Sequence, residues 1–137
     1  MFSFSRDRWG AAAGDVLAIA ALTLAGFNTH GTLTTAGSRI WATFLPLVAA
    51  WILAGIFTGV YDPANFRTPA QLWRPVMAMV MAAPMFGLLR AWVLGNQTIS
   101  VIFVIVIGSL GAVVMFAWRG IYALWILRRP GNRNTGG

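Results

Sequence analysis

The sequence contains no cysteine, no lysine and no glutamate, and its only acids are Asp7, Asp15 and Asp62. Without cysteine there is no disulfide framework, no thiol nucleophile and no thiolate metal site. Histidine occurs once, at His30, and a metal or haem site normally needs two or more ligands. The other soft donors, Met77, Met79, Met81 and Met85, begin at the opposite face and suit the filling of irregular gaps between helices. No cofactor is expected. The sequence also lacks a nucleophile–base–acid trio, a carboxylate pair and a Gly-rich phosphate loop, so no enzymatic activity is expected.

Charge is scarce as well. Charged residues make up 9 % of the 137 residues and apolar residues 58 %, whereas a soluble domain carries about 25 % charged residues. A soluble fold of this size could not cover its core with so few charges; lipid tolerates such a surface. The net charge of +7 would suggest nucleic acid in a soluble protein. Here all ten basic residues are arginines, set mostly between and beyond apolar runs, which is how orientation signals are placed. The expected partner is the lipid bilayer, with a homo-oligomer or larger membrane complex beyond it, and not nucleic acid.

Four apolar runs cover residues 9–27, 40–61, 75–94 and 99–127. A crossing takes about 20 helical residues, so the first three runs supply one span each. The fourth has 29 residues, roughly 43 Å as a straight helix at 1.5 Å per residue, which exceeds a core of ~30 Å even with tilt. Arg119 marks where it leaves the membrane. The span is expected over 99–119, with 120–129 along the cytoplasmic interface and Tyr122 and Trp125 at headgroup depth. The alternative starts the span near Gly108 and draws Arg119 inside. The first run resembles a signal peptide in having Arg6 and Arg8 before it, but Asp15 interrupts it and no polar domain follows a cleavage site. The expected fold is therefore an all-α, integral membrane four-helix bundle over residues 1–129, with a disordered tail over 130–137.

The arginines orient it. Arg6, Arg8, Arg67, Arg74, Arg128, Arg129 and Arg133 fall on one side, and Arg39 with the nearby Arg90 on the other. Positive charge favours the cytoplasm, so both termini are expected there, in the cell (inner) membrane.

Ionisable residues within a span are expensive and are candidate functional sites. Asp15 lies inside span one, and Arg119 sits at similar depth in span four. They either pair across helices one and four, or Asp15 faces a water crevice while Arg119 snorkels to headgroups. A second set lies at the outer face: Asn28 and His30 end span one, Arg39 opens span two, and Arg90 is one turn from the end of span three. Together they would suit an anion or a lipid headgroup; separately, each snorkels to the interface. Gly10, Gly14, Ala18, Ala21 and Ala25, and then Gly55 and Gly59, have the small-residue spacing of close helix contacts. Pro46 and Pro84 are expected to kink spans two and three.

The pattern resembles the family of small prokaryotic membrane proteins known as domain of unknown function 3054. The residues carrying it are Asp15, the segment 28–30, Leu45–Pro46 with Trp51, the Pro84–Gly87–Arg90 element, Phe103, and Trp118–Arg119. The likeness implies four spans and draws attention to Asp15, His30, Arg90 and Arg119, but implies no reaction. The expected role is a structural or accessory component working through helix contacts. The alternatives are a small oligomeric transporter using Asp15, as in exporters with one membrane acid, or a binder of an anion or headgroup at the outer face.

Overall fold

The computed structural model describes residues 2–29, 31, 34–35, 37–66, 68–95 and 98–129. His30 and the tail over 130–137 lie outside the described residues. Helix α1 is Phe2–Thr29, α2 is Ser38–Thr58, the short α3 is Pro63–Phe66, α4 is Trp73–Leu94 and α5 is Val101–Arg128; a 3-10 turn, Pro69–Gln71, precedes α4. Among the described residues, four helices are long and apolar enough to cross a membrane. They form an up-and-down four-helix bundle in which α2 packs on α1 and α4, and α5 packs on α4 and α1.

The helix ends have local causes. Gly59 adopts φ 69°, the left-handed conformation that glycine takes without strain, and ends α2 at Thr58. The Val60 N–H then donates to the Gly55 carbonyl at 3.0 Å, the bond that satisfies a terminal carbonyl in this type of cap. The apolar run continued to Tyr61 because hydropathy is blind to that cap. Gly95 stops α4 in the same way, at φ 69°. Ser100 caps α5 by accepting from the Phe103 N–H at 3.3 Å.

Two helices are clearly longer than the ~30 Å hydrocarbon core. α1 and α5 have 28 residues each, about 42 Å at 1.5 Å per residue. α1 begins ahead of Trp9 because its polar first turns find partners. The Tyr122 hydroxyl donates to the Asp7 carbonyl at 2.6 Å, and Arg129 pairs with the Asp7 carboxylate at 3.1 Å. α5 in turn stays helical through Gly108, Gly111 and Gly120, and its last turns lie along α1, where Tyr122 and Ala123 are buried.

The core between the helices is built on Trp51, Phe86, Ile19, Leu47, Met79 and Met115, all fully buried. Small residues bring α4 and α5 together. A Cβ on Gly108 would stand 3.1 Å from Ala83, one on Gly111 2.8 Å from Met79, and one on Gly87 2.8 Å from Val104. Such close approach strengthens dispersion contacts where lipid offers no hydrophobic driving force. Of the small residues singled out on α1, Gly10 and Gly14 face Tyr122 and Trp118 of α5, while Ala21 and Ala25 are exposed. Gly59 is a helix cap rather than a packing glycine. Large apolar side chains cover the outside, with Phe57, Trp92 and Ile102 each more than three-quarters exposed.

The tightest of these contacts gives a test. A Cβ at Gly14 would lie 1.8 Å from the Trp118 ring, whereas nothing lies within 4 Å of one at Gly26. Gly14→Ala is expected to destabilise by about 1–3 kcal/mol through overpacking, against a helix-propensity gain of up to ~1 kcal/mol. Gly26→Ala keeps only the gain. Unfolding in detergent micelles, followed by helical circular dichroism, should show opposite signs for the two variants.

Candidate functional site

Helical spacing builds the polar centre of the bundle. On α1, Ala11, Asp15, Ile19 and Thr23 recur every four residues and all are buried, so the face that α1 turns inward carries its carboxylate into the interior. On α5 the inward face carries Met115, Arg119 and Tyr122. Trp51 comes from the buried side of α2, and Tyr61 from the turn beyond its cap. Asp15 is 0 % exposed and Arg119 3 %.

Five donors converge on the Asp15 carboxylate. Oδ1 accepts from Trp118 Nε1 at 3.0 Å and from Arg119 Nε at 2.9 Å. Oδ2 accepts from Arg119 Nη2 at 2.6 Å, from the Tyr61 hydroxyl at 2.9 Å and from Trp51 Nε1 at 3.2 Å. The Trp51 N–H is shared, since it also lies 2.8 Å from the Tyr61 oxygen. A carboxylate offers about four lone-pair positions, so its accepting capacity is filled. Arg119 makes the bidentate contact that its planar fork favours. Its Nη1 donates to the Val60 carbonyl at 3.4 Å, and its guanidinium carbon stands 5.3 Å from the centre of the Tyr61 ring. The void beside Arg119, bordered by Val60, Asn65 and Gln71, is about 10 Å³, at the lower limit for one water. Tyr61, which follows the last residue of α2, has its hydroxyl pushed above the usual tyrosine range, first by burial and then by the adjacent Asp15 charge.

The residues expected at the other end behave differently. Asn28 and Arg39 are exposed, and His30 lies outside the described residues. Arg90 is half-buried; its Nε donates to the Thr43 hydroxyl at 3.2 Å and its guanidinium lies 5.0 Å over the Phe103 ring. Among the described residues no hydrogen bond joins Asn28 or Arg39 to Arg90. At the chain-terminal end, Arg74 ties the connecting segment to α2, with Nη1 donating to the Thr58 carbonyl at 2.6 Å and Nε to the Gln71 side chain at 2.8 Å.

Sequence reasoning did not assign Trp51 or Tyr61 to this site. A signal existed: an indole N–H in mid-span must find an acceptor, because hydrocarbon offers none. In the sequence Arg129 counts only as an orienting charge and Asp7 only as one of three acids, and nothing in their spacing announces a pair 122 residues apart.

A family model described as a protein of unknown function, DUF3054, matches residues 12–122 of the chain. No curated protein and no solved structure matches. The matched stretch contains Asp15, Trp51, Tyr61, Trp118 and Arg119, the residues whose side chains meet in this centre.

Two outcomes follow from the geometry. Asp15→Asn and Arg119→Gln should each lose about 3–5 kcal/mol, because each strands a buried partner. The double variant should lose clearly less than the sum, as contacting residues do; additive losses in the unfolding cycle would rule out coupling. The second concerns pH. Tyr61 has a raised value in the folded chain, so the stability linked to it is complete below the unfolded value of about 10 and is lost as pH rises toward the folded one. Unfolding free energy should therefore fall from pH 10 upward, and Tyr61→Phe should flatten that fall.

Proposed function

The chain belongs to the DUF3054 family, and on that premise we propose that it is a multi-pass protein of the cell membrane whose role is structural or accessory. It works through its helix surfaces within a larger membrane assembly. Both termini lie in the cytoplasm, with Arg6, Arg8, Arg74, Arg128 and Arg129 at that face and Arg39 opposite, as positive charge dictates. The final turns of α5, with Tyr122 and Trp125, lie at the depth of the cytoplasmic headgroups.

The observation that carries this reading is the closed state of Asp15. A transport acid must exchange its proton or its cation with water. Asp15 instead accepts five hydrogen bonds and is paired bidentately, and it is fully buried. Releasing it would leave Arg119 as an uncompensated charge, at a penalty of several kcal/mol. A pair held in this way fixes helix register. The apolar exterior, including Phe57, Trp92 and Ile102, supplies the surface for lipid and for neighbouring helices.

Two measurements test the reading. The protein should resist alkaline carbonate extraction, with a C-terminal fluorescent reporter active and a periplasmic phosphatase reporter active only when inserted between α1 and α2 or between α4 and α5. In proteoliposomes, a pH gradient should decay no faster than in empty vesicles, whatever cationic substrate is offered. Substrate-driven proton flux that disappears in Asp15→Asn would overturn the accessory role in favour of transport.

A further inference from the structure

A groove of about 450 Å³ separates the first turns of α1 from the last turns of α5, bordered by Arg6, Asp7, Trp118, Tyr122, Trp125 and Arg129. Its floor is aromatic. Trp118 and Tyr122 stack at 5.3 Å between centroids, and Tyr122 and Trp125 at 5.9 Å. The polar atoms of the inner two rings are engaged within the fold, since the Trp118 N–H donates to Asp15 and the Tyr122 hydroxyl to the Asp7 carbonyl. What those two rings offer an occupant is apolar.

The mouth is cationic. Arg6 is exposed and makes no hydrogen bond or ion pair among the described residues. Arg129 gives Nη1 to Asp7 at 3.1 Å, lies 3.7 Å over the Trp125 ring and is 39 % exposed. Arginine carries five N–H donors in a fixed fork, so most of that fork remains available. Two guanidiniums and one carboxylate border the groove.

We propose that this groove binds one anionic phospholipid, its phosphate held between Arg6 and Arg129 and its glycerol and upper acyl chain laid on the Trp118–Tyr122–Trp125 floor. The proposal rests on the reading that this end of the bundle lies at the cytoplasmic headgroup layer, where basic pockets between helices meet anionic lipid. The apolar floor disfavours a small hydrated anion. A second copy of the chain would bring the same arginines against these, a like-charge contact that costs affinity.

The test uses the full-length chain, purified in a neutral detergent, and native mass spectrometry with phosphatidylglycerol and phosphatidylcholine in competition. Phosphatidylglycerol should be retained preferentially. Arg6→Gln, which removes no hydrogen bond or ion pair among the described residues, should reduce that preference about fivefold, the worth of one basic residue near an anionic surface. Arg6→Lys should keep most of it, and Arg128→Gln, outside the groove, should leave it unchanged. Equal retention of the two lipids by the wild type overturns the proposal. So does an Arg128→Gln loss as large as that of Arg6→Gln, displacement of the lipid by millimolar inorganic phosphate, or dimerisation that Arg6→Gln alters. Carbonate extraction of the same protein separates the two readings: a carbonate-resistant chain without lipid preference loses the groove and keeps the membrane assignment.

Discussion

The Asp15 carboxylate sits where no solvent reaches it, and that single placement constrains three of the four long helices. A buried charge without partners costs several kcal/mol even after relaxation, so donors must be delivered from whatever surrounds it. Arg119 and Trp118 come from α5, Trp51 from α2 and Tyr61 from the turn that ends α2. Slipping α1 by one turn would move the carboxylate about 5.4 Å along its axis and break all five bonds together. The hydrogen-bond set therefore fixes the relative register of α1, α2 and α5 more sharply than apolar packing can, since apolar surfaces have no preferred partner atoms.

α4 takes no part in that network. Its middle is held by shape: Met79, Ala83 and Gly87 lie against Gly111, Gly108 and Val104 of α5, and Trp51 and Leu47 of α2 share its core with Phe86; only near its ends do Arg74 and Arg90 hydrogen-bond to Thr58 and Thr43 of α2. The bundle is thus joined in two ways. The α1 side closes on hydrogen bonds and charge, and the α4 side on close backbone approach. Each way suits a surrounding that contributes no hydrophobic drive between helices, and each needs residues, glycine or paired charges, that an all-leucine span would not supply.

The number of long helices could be read from the chain because each apolar run is long enough to span a bilayer once and too short to span it twice. Asp15 and Arg119 could be named because each is costly where it stands. Their three supporting donors were harder to name: the mid-span indole of Trp51 calls for an acceptor, but nothing in the sequence says that Asp15 is that acceptor or that Tyr61 and Trp118 join it. Helix ends were misjudged for a related reason. Gly59 fits a small-residue packing pattern as well as it fits a left-handed cap, and only its φ of 69° separates the two. The early start of α1 depends on Asp7 meeting Arg129 and Tyr122, contacts between the two ends of the chain that no local window contains.

Length mismatch among the helices carries the last step. α2 and α4 have 21 and 22 residues, while α1 and α5 have 28 each. Beyond Arg119, α5 runs on to Arg128, nine residues or about 13 Å of helix. The headgroup layer on one side of a bilayer is roughly 5–7 Å thick. In the proposed orientation a helix pair projecting that far passes from hydrocarbon through the headgroup layer, where apolar packing alone is weak for so short a stretch. The projecting part is joined instead by the Asp7–Arg129 pair and the Tyr122–Asp7 hydrogen bond, and it carries its aromatic rings one turn below its arginines. In the proposed orientation that gradation, from ring to guanidinium over two turns, follows the polarity profile of the interface itself. The same projection that lengthens α1 and α5 also opens the groove between them.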